Sequence, residues 1–156
     1  MKVSEHFSLG EFLPQGFGGA VPQAVLENVQ ALCLTLLEPV RVKFGPLRIT
    51  SCWRLADHNA EVVGAKGSDH LNAAAADFQV LVGAWQETTI ESFHWIRGNL
   101  IGKFGQVILE DRRKELKNDG KLCVHISLPT PKHPGHSDPA SVLVSWIPGR
   151  YEPFTA

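Results

Sequence analysis

The apolar patterning of this 156-residue chain predicts an α+β fold, a small, mainly antiparallel sheet with flanking helices. Three observations carry that reading. Apolar residues recur at helical spacing between Val25 and Phe44. A second helical pattern lies mid-chain. Short β-forming runs, two of them separated by a turn signal, fill the last third.

The first element in order is a short turn. Ser8 stands as its cap, Phe7, Leu9, Phe12 and Leu13 supply apolar side chains, and Pro14 ends it. Gln15–Ala20 holds three glycines and reads as loop. Pro22 suits a first helical position, where its missing N–H has no partner to lose. Val25, Leu26, Val29, Leu32, Cys33, Leu36 and Leu37 follow on one stripe. Pro39 falls inside the pattern and should kink or split it. The stripe runs on through Val40 and Phe44 to a stop at Gly45-Pro46.

Leu47–Ser51 reads as a strand and Cys52–Ser68 as polar, irregular chain. Ala73–Val82 is small and apolar and ends strand-like at Phe78-Gln79-Val80. Thr88 or Thr89 should cap a helix reaching about Ile101. Gly105–Glu110 and Leu122–Leu128 read as the strands of a hairpin. The charged loop Asp111–Lys121 joins them and carries the turn signal Asp119-Gly120. Pro129–Pro139, with four prolines, is loop, and Ser141–Ile147 is a last strand with Val142, Val144 and Trp146 alternating.

Length and composition fit one domain over residues 1–156, expected to be a monomer. Such a chain buries roughly 70% of its unfolded surface without disulfides. A net charge of −1 argues against a non-specific nucleic-acid binder, which needs a positive field. No apolar run is long enough to span a membrane, and Met1–Gly10 lacks the apolar core of a signal peptide. Cys33, Cys52 and Cys123 contain no CxxC pair and read as reduced, structural thiols of a protein made in the cytoplasm. Of the three, Cys123 is the one whose strand position lets it approach His125.

Seven histidines are present. His94 falls mid-helix, His133 and His136 in a proline-rich loop, and His6 near the N-terminus, all consistent with solvated side chains. His70 and His125 differ. His70 ends a polar loop, small residues follow, and Asp77 enters a strand. His125 interrupts the apolar run Val124-His125-Ile126. Buried ionisable groups need partners. His, Asp and His can hold zinc and leave a coordination position open. Seven residues of straight strand would separate His70 from Asp77 by roughly 23 Å, so the chain must turn back between them. The four alanines Ala73–Ala76 permit close backbone approach there.

These residues resemble a known family. Ser68, His70, Ala75 and Asp77 match the pattern Ser-x-His-x-x-Gly-x-Ala-x-Asp, followed by a distant strand His, of the zinc D-Ala-D-Ala carboxypeptidases. That family includes phage endolysins, vancomycin-resistance dipeptidases and the hedgehog signalling domain. Ile49-Thr50-Ser51-Cys52-Trp53-Arg54 is similar to the family's strand ending in an aromatic-Arg pair, and Asn59 and Gly64 sit where relatives carry them. Phe7–Phe12 and Leu36–Arg41 resemble its short peptidoglycan-peptidase, endolysin-like branch. Two positions depart from the pattern. Ala73 replaces the motif Gly, a strained choice if φ is positive there. Leu122 stands where many members carry the general base, three residues before the last His.

The resemblance implies a hedgehog/DD-peptidase-like fold and a zinc metallopeptidase, with the metal on His70, Asp77 and His125. The substrate it implies is the stem or cross-linking peptide of bacterial peptidoglycan, cleaved by D,D-carboxypeptidase or endopeptidase action. Glu110, at a neighbouring strand end, is the first candidate for the missing base, and Asp69, His133 and His136 are substitutes. A simple register pairs Glu110 with Leu122 and turns it away from His125, so an irregular strand end is expected. Arg54 is expected to polarise the scissile carbonyl, and Ser68 to bind substrate or cap the turn before His70. A chain without a signal would act on the wall after release through a separate pore, or as a virion component. The alternative readings are a zinc-containing module without activity and a metal-free structural protein.

Overall fold

The computed structural model describes residues 1–62, 64–113, 121–135, 142–147 and 150–154. Apolar residues at helical spacing form α1 (Gln23–Leu32) and α2 (Glu38–Phe44), joined without a break by a π turn at Cys33–Leu37. The change of winding falls immediately before Pro39. A proline cannot supply the N–H of a regular helical turn and crowds the carbonyl four residues earlier, and a π turn relieves both. Pro39 then occupies the first turn of α2, and Gly45 closes it at φ 89°.

β1 (Leu47–Ser51) lies at one edge of a six-stranded sheet. The other strands are β2 (Ala75–Val80), β3 (Gln106–Asp111), β4 (Leu122–Ser127), β5 (Val142–Ile147) and β6 (Arg150–Pro153). The order is β1-β2-β4-β3-β5-β6, with β3 and β5 parallel and the other pairings antiparallel. The expected α+β architecture is therefore present. Residues alternate between the two faces along each strand. Phe78, Val80, Val107, Leu109, Leu122, Val124 and Ile126 point into a core shared with Val29, Leu32, Leu36 and Leu37 of the helical run and with Phe93 and Ile96. The last two belong to α4 (Trp85–Asn99). The opposite face carries Asp77, Ile108, Glu110, Cys123 and His125.

Four local expectations change. Cys52–Ser68 is not wholly irregular: Ala56–Glu61 forms α3, a polar helix whose sequence offers no apolar stripe to detect. α4 begins at Trp85, so neither Thr88 nor Thr89 caps it. Thr89 instead lies inside the helix, where its Oγ1 accepts from Val80 N at 3.0 Å and ties α4 to the end of β2. The edge strand β6 carries a proline and is exposed throughout, which removes the usual strand signals. His6 is not loose: Glu38 accepts its backbone N–H at 2.8 Å and meets its Nδ1 at 2.7 Å. The Asp119-Gly120 turn, His136 and Ser141 lie outside the described residues. Among the described residues no helix is long and apolar enough to cross a membrane.

Candidate metal centre and its cleft

The chain reaches the centre through a turn that the spacing of His70 and Asp77 requires. Asp69–Asn72 is a single 3₁₀ turn, and Ala73 follows it at φ 56°, ψ 25°, in the left-handed region. An L-residue there carries a backbone strain that glycine avoids. Ala73 to Ala76 are all buried, so small side chains are what the junction accepts. Ser68 caps this turn, its Oγ accepting from His70 N at 3.4 Å, while it also lines the cleft.

His70 is held on two sides by the segment after β1. Its Nδ1 donates to the Cys52 carbonyl at 2.7 Å, and its own carbonyl accepts from Arg54 N at 3.0 Å. The first bond fixes the tautomer and leaves the Nε2 lone pair facing the cluster. β2 and β4 pair Asp77 directly with His125. His125 Nδ1 lies 2.8 Å from Asp77 Oδ1 and 3.1 Å from His70 Nε2, and His70 Nε2 lies 3.3 Å from the same oxygen.

These three atoms fit a zinc ion. Ligand atoms about 2.0 Å from a tetrahedral centre sit about 3.3 Å apart, and two imidazoles with one carboxylate are a donor set that leaves a fourth position open. All three residues are buried. Burial pushes the His70 imidazole below its ordinary value and so favours the neutral, cation-binding form. Burial opposes ionisation of Asp77, but His70 and His125 facing it hold its carboxyl well below the usual range.

The two oxygens of Asp77 divide their partners. Oδ1 faces the imidazoles, while Oδ2 accepts from Arg54 Nη2 at 2.8 Å and lies 3.9 Å from Lys121 Nζ. Arg54 Nε also donates to Ser51 Oγ at 2.8 Å. Arg54 therefore grips a metal-ligand candidate from behind and borders the cleft at the same time.

Glu110 shares the cleft face with His125, though not for the reason expected. The β3–β4 register pairs it with Cys123 and pairs Ile108 with His125, and it runs unbroken from Gln106↔Ser127 to Asp111↔Leu122. No irregular strand end is needed, because the pairing is offset by one from the simple alignment of Glu110 with Leu122. Among the described residues, the Glu110 carboxylate makes its close polar contacts through Oε2: Lys121 Nζ at 2.5 Å, Arg112 Nη2 at 3.4 Å and Cys123 Sγ at 3.7 Å. Burial, then the Asp77 charge, pushes the Cys123 thiol well up, so it stays protonated and apart from the His/Asp/His group.

A cleft of about 970 Å³ runs over this face. Glu110, Arg112, Lys121 and Tyr151 line one end, and Asp69, Gln106 and His133 the other. A Cβ at Gly105 would collide with the carbonyl oxygens of Leu128 and His133, so glycine lets the His133 loop close against the start of β3. His133 Nε2 lies 4.0 Å from Asp69 Oδ2. Asn59 and Gly64 shape the rim. Asn59 Nδ2 donates to the Ala65 carbonyl at 3.1 Å, and a Cβ at Gly64 would strike the Asn59 amide. Arg112, Lys121 and Tyr151 escaped the sequence reading. Two of them were detectable, because Lys121-Cys123-His125 and Ile108-Glu110-Arg112 continue the same two-residue alternation.

A family model described as Peptidase M15 matches residues 6–106. A search of the curated proteins finds no match to the chain. The matched segment includes Arg54, His70 and Asp77 and stops before Glu110 and His125, which the sheet then brings alongside. The chain belongs to the Peptidase M15 family.

Proposed function

We propose that the chain is a zinc-dependent peptidase acting on the peptides of bacterial peptidoglycan, by D,D-carboxypeptidase or endopeptidase cleavage. The observation that carries this reading is the convergence of His70 Nε2, Asp77 Oδ1 and His125 Nδ1 within 3.3 Å of one another at the floor of an open cleft. Membership of a peptidase family supports the reaction class.

His70, Asp77 and His125 would hold a zinc ion, which would supply Lewis acidity and lower the pKa of a bound water towards neutrality. Glu110 takes the role of general base. Its Oε2 is occupied by cations, so Oε1 receives the proton and passes it to the leaving amine. Lys121 pairs with Glu110 and links it to Asp77. Arg54 orients Asp77 and turns the rest of its guanidinium to the scissile carbonyl, where a preorganised cation stabilises developing negative charge. Ser68 holds the His70 turn in shape.

The test is digestion of purified peptidoglycan with and without a chelator, with the released peptides identified by mass spectrometry. Chelator-sensitive release of new peptide ends is the expected result, and the fragment masses name the bond. A zinc-loaded chain that leaves every peptidoglycan intact overturns the reading in favour of an inactive zinc-binding module, which the Leu122 position would then explain.

A further inference from the structure

A second hollow adjoins the cleft, and the proposed chemistry does not use it. It lies between the start of α1 and the proline-rich loop after β4, with a volume of about 560 Å³. Pockets that hold a small ligand measure about 300–1,000 Å³. Val25 and Ala74 are buried and floor it, while Ala24, Pro129 and Pro131 are exposed at its rim. Its walls are fixed. Asn28 Nδ2 donates to the Asn72 carbonyl at 2.8 Å and ties α1 to the turn after His70. Leu128 N donates to the Ala74 carbonyl at 2.8 Å and carries the β2–β4 pairing past Ser127. The two hollows meet at Gly67, Asp69 and Lys132, so the second begins one residue from His70. Lys132 lies across the junction, its Nζ donating to the Gly67 carbonyl at 3.1 Å in an exposed bond. A lysine stem is flexible, so a ligand can move it aside.

We propose that this groove is a distal binding site for the substrate chain, taking an uncharged stretch of peptide with small apolar side chains on one side of the scissile bond. The favoured substrates are then peptides that run several residues beyond that bond, not dipeptides. This rests on the peptidase reading of the cleft and names the substrate class within it. Continuity selects the occupant, because a peptide that lies in the cleft and continues past Asp69 enters the groove. The lining selects its side chains. Among the described residues the charged members of the groove are Asp69 and Lys132, and both sit at the junction with the cleft. A charged side chain beyond the junction would lose water without gaining a countercharge. Alternate side chains of an extended peptide point to opposite faces, so every second one meets the floor at Val25 and Ala74, where methyl groups offer apolar contact.

The experiment is calorimetric binding to the zinc-loaded chain, repeated with the metal-free chain. The ligands are the D-alanyl-D-alanine dipeptide, the same dipeptide extended at either end by three alanines, the counterparts extended by three glutamates, and a peptide-free glycan fragment. Alanine extension at one end should raise affinity about tenfold or more, which burial of two methyl groups suffices to supply. The end that gains gives the direction of the bound chain. Glutamate extension should bring no gain. Ala24→Trp, which fills the groove from its rim, should remove the gain. Val42→Trp, on an exposed residue of α2 outside both hollows, should retain it. Equal binding of all peptides by the wild type, or none by any, overturns the proposal whether or not the variants fold. So does an equal gain with glutamate, or an unchanged gain in a folded Ala24→Trp. Glycan binding that Ala24→Trp removes gives the groove to sugar and overturns it as well. Cleavage of peptidoglycan without any dependence on length leaves the peptidase reading intact and removes the groove. If peptidoglycan is never cleaved while the alanine gain persists and Ala24→Trp removes it, the reaction fails and the groove stands.

Discussion

The two faces of the sheet are built from the same strands and obey opposite rules. In β4, Leu122, Val124 and Ile126 point into the helix-backed core, and Cys123, His125 and Ser127 point to the cleft side. In β3, Val107 and Leu109 go to the core, while Ile108 and Glu110 go to the cleft. Burial does not separate the faces, because both sides of β3 and β4 are buried. Partnering separates them. On the core face apolar contact satisfies every side chain, and each buried methylene contributes about 0.8 kcal/mol. On the cleft face buried imidazoles, carboxylates and guanidinium groups hold one another in a chain of ion pairs from His125 through Asp77, Lys121 and Glu110 to Arg112. Such chains contribute little net stability, since desolvation offsets most of the attraction. Their arrangement is instead suited to binding an ion and moving protons.

If the division holds, substitutions on the two faces should fail in different assays. The largest effect is expected for His125→Ala. Elemental analysis should show zinc falling from a single equivalent to near none, with peptidase turnover at background. A variant that keeps its zinc would remove His125 from the site. Next is Phe78→Ala on the core face, one residue from Asp77 and fully buried. Urea unfolding should show a loss of about 3–5 kcal/mol, while the zinc bound per folded molecule stays unchanged. Loss of zinc without loss of stability would break the comparison.

Glu110→Gln tests the residue where the two rules meet. Turnover should drop about 100-fold or more with zinc retained. The same change takes the countercharge from Lys121 and Arg112, so a stability loss of about 1–3 kcal/mol should accompany it. Full activity in this variant would pass the base role to Asp69 or His133 at the other end of the cleft.

The smallest effect is a pH dependence on the core side. Glu38 is partly buried, which opposes its ionisation. The nearby Ser4 hydroxyl and the bonds from His6 outweigh that burial and lower its pKa in the folded chain. A folded pKa below the unfolded one, about 4.3, adds stability above that value and loses it as pH falls through the folded pKa. Glu38→Gln should therefore narrow its stability gap to wild type below about pH 4. A gap that stays constant from pH 7 to pH 3 would dismiss Glu38 as the group responsible.

Much of this was legible in the amino-acid order because it is local. The stripe from Val25 to Leu37, the stop at Gly45-Pro46 and the strands at Leu47–Ser51 and Leu122–Ser127 follow from spacing and turn chemistry alone. The requirement that the chain turn between His70 and Asp77 was also legible, since strand rise forbids any other way of bringing them together. Helix α3 and strand β6 were not, because one is polar on all sides and the other is exposed at an edge with a proline.

The placing of charge was left to tertiary structure. Which face Glu110 occupies depends on a one-residue choice of β3–β4 register, and the sequence permits either alignment. Arg54 reads equally well as a surface pair or a catalytic cation until the end of β1 is laid against β2 and its guanidinium meets Asp77. Lys121 and Arg112 look like members of a charged loop until the hairpin closes and both fall on Glu110. Backbone propensity acts between near neighbours, so the order of residues decides the elements. Electrostatic partnership acts across strands, so only the paired sheet decides which charges meet.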